Sequence, residues 1–366
     1  MNTITHGGDI YRNKVSADFS TSVNPYPLPE NVVAAMQRAL KRAGQYPDLR
    51  QERLRGALAA HYGVMPEQVV CGNGASELIL AVFHAIRPGQ TILQRADYGG
   101  YRRCAGAVGS EVIRVDSIND WLPDTEKSGA GNPDQDFLLL FSLPNNPTGR
   151  LMSQQTLMRY FQYCKDHHLW LVIDASFLDL TEQAKTYWKL LLQFVDQYDR
   201  CIVISSFTKS FALPGARMGY LFCDKCVADR IKEQLPEWNV SVIAEEAGIA
   251  CLQEWAYLSE CIENIAAERK RVSEALKGFG FTVYPSDANF ILFRAGIPLY
   301  EALLEQGILI RDCADFFAGQ EKSGLLSDEA GENEAFGGGH YYRIAVRQKR
   351  DNTLLLESMD ELLNKG

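Results

Sequence analysis

CIVISSFTKSFALPGARMGYLFC, residues 201–223, decides how this chain is read. A continuous apolar run, CIVISS (201–206), ends in two serines, and a second run, GYLFC (219–223), begins after a loop. Uninterrupted runs of this kind suit strands of a sheet covered on both faces. The loop carries Lys209 and, eight residues on, Arg217. A lysine at a strand end among small residues can be held where its amine is partly desolvated and nucleophilic, as a Schiff base requires.

Outward from this stretch the same pattern recurs. FLLLFS (137–142) and LWLVID (169–174) are further buried-strand runs, with helical patterns between them. Residues 30–43 place Val32, Val33, Met36 and Leu40 on one stripe, and 76–86 are apolar almost all round, as expected of a buried helix. Alternation of short apolar runs with helices predicts an α/β protein with a largely parallel sheet. After about residue 245 the pattern changes to a long helical region through 278, then TVYPS, NFILF, ILIRDC and YYRIAV, then an amphipathic helix. That order predicts a second, smaller α+β domain. The stretch 318–339 is rich in Gly, Glu and Ser and is expected to be an exposed, mobile insertion.

Composition narrows the function. The 366 residues allow about two domains, and 46% hydrophobic with 23% charged residues is ordinary for a globular chain. A net charge of −9 argues against nucleic acid as a partner while leaving room for a local arginine cluster around a small anion. No apolar run reaches the roughly 18 residues of a membrane span, and MNTITHGGDIYRNK has no apolar signal core, so a cytoplasmic protein with no membrane partner is expected. The nine cysteines are scattered, as reduced core thiols would be. The single C-x-x-C, Cys223 and Cys226, lacks a second ligand pair, and no metal is expected.

Three further motifs carry chemistry. LPNNPTGR (143–150) is a turn-forming string at the carboxyl end of a predicted strand, where open α/β sheets place their ligand crevice. Asp174 ends an otherwise apolar strand, and burying a carboxylate there is costly without a cationic partner. CGNGASE (71–77) runs small residues into a helix, whose free N–H groups make a phosphate cradle; a cap by Ser76 is the plainer alternative.

In this order and spacing, GNGASE, NNPTG, strand-terminal Asp174 and S-x-x-K with its arginine resemble the fold-type-I pyridoxal-phosphate enzymes of the class I/II aminotransferase superfamily over essentially the full length. The resemblance implies a large domain with a mostly parallel seven-stranded sheet between helices and a smaller α+β carboxyl-terminal domain. It divides the chain into an arm and part of the small domain (1–44), a large cofactor domain (45–245) and the small domain (246–366). It implies pyridoxal 5′-phosphate as cofactor, with Lys209 carrying it as a Schiff base and Asp174 pairing with the pyridinium nitrogen. By the same resemblance Asn146 bonds the ring O3′ and Tyr98 stacks on the ring. Gly74, Ala75, Ser76, Ser206 and Arg217 hold the phosphate. Tyr46, in QYPDLR, would reach the cofactor phosphate of a neighbouring subunit, so a homodimer is expected. Two positions depart from the pattern: Phe177 stands where many aminotransferases have tyrosine, and the aromatic motif reads ADYGGY without its usual proline.

His6-Gly7-Gly8-Asp9, DFSTSVNPYPLP (18–29), Phe177 and the pair ILIRDC and YYRIAVR are similar to the threonine-phosphate decarboxylases of cobalamin side-chain synthesis. This implies decarboxylation of L-threonine O-3-phosphate to (R)-1-aminopropan-2-yl phosphate. Arg343 would grip the α-carboxylate, His6 and Arg311 the phosphate, and Asn24 would line the same pocket. Period-2 counting places Arg347 on the face of Arg343, where it would add positive potential. The alternative is an aminotransferase of the histidinol-phosphate type, which shares the cofactor site, and to which the NPYP segment is closer.

Overall fold

A computed structural model describes residues 7–115, 118, 137–317 and 339–364. His6, and all of the 318–339 stretch except Gly339, lie outside the described residues.

The large sheet has seven strands: β1 (Val69–Gly72), β2 (Gln90–Gln94), β3 (Glu111–Val115), β4 (Phe137–Ser142), β5 (Trp170–Asp174), β6 (Cys201–Ser206) and β7 (Gly219–Phe222). Their spatial order is β1-β7-β6-β5-β4-β2-β3, with β7 antiparallel to both its neighbours and the remaining pairs parallel. Every residue of β5 and β6 is buried. Their period of two sends Leu171, Ile173, Cys201 and Val203 to one face, against the helices Gln154–Asp166 and Ala184–Gln197. Trp170, Val172, Ile202 and Ile204 go to the other, against Ala75–Ile86 and Lys225–Lys232. Each large apolar side chain so covered contributes about 1.5–3 kcal/mol, which is why these strands need no alternation with polar residues.

One expected stripe is displaced. The helix Glu30–Leu40 buries Val32, Ala35 and Ala39 against the helix Val242–Cys251, whereas Val33 and Leu40 are 38% and 56% exposed. Alanine at the contact lets the two backbones approach closely, so the small residues face inward and the large ones turn out. The Cys223–Cys226 pair is split in a similar way: Cys223 ends a buried strand run, and Cys226 is exposed at a helix start capped by Asp224. Among the described residues no cluster of metal-ligating side chains occurs, and no helix is long and apolar enough to cross a membrane.

The second sheet is antiparallel, in the order β10-β11-β9-β8, from β8 (Thr282–Val283), β9 (Phe290–Ala295), β10 (Arg311–Asp312) and β11 (His340–Ala345). The amino-terminal segment joins it: Ala17–Asp18 pairs in parallel with Ile308–Leu309, and the backbone carbonyl of Phe19 accepts from the N–H of Ala345. This brings Gly7 and residues 20–22 over the carboxyl ends of β4, β5 and β6.

Candidate active site

A cavity of about 270 Å³ opens where those strand ends meet the second sheet. Its floor follows from sheet register. Ser142 and Asp174 are paired partners at the ends of β4 and β5, and Lys209 sits on a single helical turn, Phe207–Ser210, directly after β6. Asp174 is buried, its Oδ2 accepting from the Tyr101 hydroxyl at 2.7 Å and its Oδ1 from the Ser176 N–H at 3.0 Å. Burial pushes the Lys209 amine down to about 8, with the positive charges of Arg343 and Arg217 adding and the carboxylate of Asp174 opposing. The Phe177 ring lies 5.3 Å from its Nζ, where a tyrosine would have brought a hydroxyl.

The small residues run into a helix start as the spacing anticipates, except for the cap. Gly74 precedes the helix Ala75–Ile86 with φ 80°, and no side chain caps that helix start. Instead Glu77 reaches back to the N–H of Asn73 at 2.6 Å, so Ser76 is not the cap and borders the cavity beside Ala75. A Cβ on Gly74 would run into the Arg217 guanidinium, so glycine is required for that arginine to lie over the helix start. Ser206 and Arg217 complete the wall, and Tyr98 borders it with its ring edge-on to Tyr101, 5.3 Å between centroids.

The rim comes from the second sheet. Arg311 and Arg343 are cross-strand partners of β10 and β11, so both project from one face, and both are buried. Arg343 donates to Asn146 Oδ1 through Nη1 and to the Ser20 carbonyl through Nη2 at 3.2 Å, while its buried Nε has no partner among the described residues. Burial pushes Arg343 down to about 10, and Arg311 adds to that. Two buried like charges side by side are unfavourable, and the Asp315 carboxylate, paired with Arg311 at 2.8 Å, offsets this only at Arg311.

Some expected residues lie elsewhere. Asn24 is buried but does not border the cavity: its Nδ2 donates to the Ser210 carbonyl at 2.8 Å and its Oδ1 accepts from Tyr26. It ties the amino-terminal segment to the Lys209 turn, while Ser22, two residues earlier, borders the cavity with a buried, unpartnered Oγ. Arg347 lies past the end of β11, where period-2 counting fails; it pairs with Asp351 at 2.9 Å and donates to the Asp18 carbonyl. Tyr46 is 79% exposed and packs against Trp238 with the rings tilted by 32°, 4.5 Å between centroids, away from the cavity. His6 is outside the described residues, but its neighbour Gly7 borders the cavity, and the Gly8 N–H donates to Ser20 Oγ at 2.7 Å.

The structure adds a buried network that sequence reasoning missed. Asp97 Oδ1 accepts from the Tyr98 N–H at 2.8 Å and from Ser142 Oγ at 3.0 Å, and Ser142 Oγ accepts from the Asn146 N–H at 3.0 Å. Burial, with Asp174 nearby, raises Asp97 well above the usual carboxylate range. Asp97 thereby joins the loops that carry Tyr98 and Asn146. Only the place of Ser142 as last residue of an apolar run hinted at this.

The same geometry tests the fit of pyridoxal phosphate. The unpartnered buried Oγ atoms of Ser22 and Ser176 and the Nε of Arg343 all belong to residues of this cavity, which also holds a helix start, a depressed lysine and a buried carboxylate. The donor set suits a phosphorylated, cationic aromatic ring bearing an aldehyde. The model of the family "Aminotransferase class I and II" matches residues 15–326.

The chain belongs to that family.

Among its relatives, the threonine-phosphate decarboxylase of Salmonella typhimurium is 31% identical over 353 residues, 94% of this chain and 91% of that protein. Histidinol-phosphate aminotransferase 2 of Archaeoglobus fulgidus is 29% identical over 356 residues, 96% and 94% of the two chains. The crystal structure of Sinorhizobium meliloti histidinol-phosphate aminotransferase with pyridoxal 5′-phosphate superposes with a TM-score of 0.78 at 20% identity, covering 96% and 92%. In this family member, pyridoxal 5′-phosphate is the cofactor, and the fold is the fold-type-I α/β architecture.

Proposed function

We propose that the protein decarboxylates L-threonine O-3-phosphate to (R)-1-aminopropan-2-yl phosphate. The observation that carries this reading is the pair of buried arginines, Arg311 and Arg343, on one sheet face above Lys209. A substrate with a carboxylate and a phosphate supplies one anion for each. Histidinol phosphate carries a phosphate and an imidazole, and leaves one arginine without its anion. The chain is similar to a threonine-phosphate decarboxylase and to a histidinol-phosphate aminotransferase to nearly the same degree, so the arginine pair carries the choice.

Bound at this site, pyridoxal phosphate supplies an electron sink conjugated to the substrate Cα. Lys209 Nζ provides the amine for its aldehyde, Asp174 a carboxylate for the ring nitrogen, Asn146 a polar contact for O3′, Tyr98 a stacking face, and Ala75, Ser76, Ser206 and Arg217 the phosphate contacts. The Tyr101 hydroxyl fixes the Asp174 carboxylate in place. Arg343 binds and orients the carboxylate that is lost, and Arg311 holds the distal phosphate. Lys209, whose amine burial lowers to about 8, carries the proton delivered to Cα after carbon dioxide leaves. Phe177 covers that amine with an apolar face and excludes water from it.

The functional unit is a homodimer in this reading. Leu40, Tyr46, Leu49 and Trp238 are 56%, 79%, 50% and 40% exposed, an apolar set that a second copy would cover, with Tyr46 supplied to its site. Light scattering of the purified protein checks the mass. The deciding experiment reconstitutes the protein with pyridoxal phosphate, adds O-phospho-L-threonine without a keto acid, and follows carbon dioxide and amine together. Sustained stoichiometric release of both is expected. Conversion of the cofactor to its pyridoxamine form by histidinol phosphate, with no carbon dioxide from phosphothreonine, would make it an aminotransferase.

A further inference from the structure

Arg311 is held by an acidic neighbour. Its Nη2 donates to Asp315 Oδ2 at 2.8 Å, one turn along the chain, and both residues border the cavity. The two partners are unequal. The Arg311 side chain is 7% exposed and sits against the Phe316 ring at 5.5 Å, whereas Asp315 is 38% exposed on the short helix Ala314–Phe317.

We propose that Asp315 is a specificity-determining residue that competes with the substrate's distal phosphate for the Arg311 guanidinium. The inference rests on the phosphorylated-substrate reading above. Arg311 is confined by its burial, so any anion it binds must come to it. Asp315 can turn to water at small cost, because a carboxylate more than a third exposed keeps most of its hydration. A phosphate dianion arriving at Arg311 therefore either meets the Asp315 carboxylate at close range or displaces it and forfeits the existing pair. Both routes weaken phosphate binding and leave a substrate without a distal anion untouched. A cationic distal group experiences the opposite, because Asp315 then attracts it.

The test compares wild-type holoenzyme with Asp315→Asn, which keeps the side-chain shape and removes the charge, and with Asp315→Ala. Dissociation constants come from the rapid change in cofactor absorbance on mixing with O-phospho-L-threonine, L-threonine or histidinol phosphate. The expected result is about three- to tenfold tighter binding of phosphothreonine in both variants, shrinking at high salt, with L-threonine within about twofold of wild type. Unchanged or weaker phosphothreonine binding in the variants, in a wild type that prefers it over threonine, would overturn the proposal and make Asp315 an orienting partner of Arg311. So would weaker histidinol phosphate binding with no gain for phosphothreonine, which would make Asp315 an acceptor for an imidazolium and not a competitor of the phosphate. If the wild type binds phosphothreonine no better than threonine, the phosphorylated-substrate reading itself fails, and the competition with it.

Discussion

The floor and the rim of the cavity are built on different principles. The floor consists of the carboxyl ends of β4, β5 and β6 and the turns that follow them, three strands buried throughout except at Phe137. Its polar groups are tied to one another: Asp97 to Ser142, Ser142 to Asn146, and Tyr101 to Asp174. The rim consists of two-residue β10, the end of β11 and the amino-terminal segment, with like-charged Arg311 and Arg343 side by side and the Ser22 hydroxyl unpartnered. Polar groups tied to one another across adjacent strand ends hold one geometry, although Asp97 Oδ2 and Ser176 Oγ keep no partner among the described residues, and they suit a cofactor common to a family. Like charges set side by side by strand register favour an anionic ligand and suit the substrate that distinguishes its members.

The comparison is most sharply tested at the floor. Lys209→Ala is expected to lower kcat by at least about 10³-fold and abolish the visible band of bound cofactor, measured by steady-state assay and absorbance. At the rim, Arg343→Met should reduce kcat/KM about 10²–10³-fold for the carboxylate substrate while leaving the cofactor band in place, because it removes a buried partner of substrate. A loss of cofactor in that variant would erase the distinction between the two regions.

Acidity offers a third probe. With its pKa depressed to about 8, Lys209 is mostly protonated at pH 7 and mostly neutral at pH 9. The rate at which the apo-protein captures pyridoxal phosphate should therefore rise about tenfold between those values, then level off. The linkage to stability has the corresponding sign. A lysine whose folded pKa is lowered disfavours the folded state while it is protonated, and this penalty shrinks as pH rises through 8 toward its unfolded value.

A comparable effect belongs to the network beneath. Asp97→Ala should weaken pyridoxal phosphate binding by about tenfold by freeing the Tyr98 and Asn146 loops, whereas Asp97→Asn, neutral and of the same shape, should stay near wild type. Fluorescence titration of the apo-protein reads both. The smallest effect is expected at Arg347→Ala: kcat/KM within about twofold, with at most about 1 kcal/mol lost in denaturant unfolding, since its exposed pair with Asp351 lies outside the cavity. A large fall in kcat/KM would return Arg347 to the substrate pocket.

Legibility in the sequence follows the same division. Lys209, Asp174 and the turn that carries Asn146 were readable because each stands at the end of an apolar run, and strand ends of a parallel sheet converge by topology, whereas Arg217 was singled out only by its spacing from Lys209 and the resemblance built on it. Asp97 and Tyr101 were not, since each meets its partner across 45 or 73 residues of chain. Asn24 and Arg347 were misplaced for a related reason. One is spent on a carbonyl 186 residues away, and the other follows a strand that ends two residues sooner than its pattern suggests.

The sequence by itself determined the layered α/β fold and set Lys209, Asp174 and the NNPTG turn at strand ends, because hydrophobic period and strand-end position are local properties of the chain, while the roles proposed for them came from the resemblance to a family. Only the tertiary structure decided the rim. Arg311 and Arg343 become neighbours through the register of β10 with β11, Ser22 rather than Asn24 faces the cavity, and Asp315 lies against Arg311. Which side chain faces a cavity, and which finds a partner first, depends on the summed geometry of distant segments, and no local period carries that information.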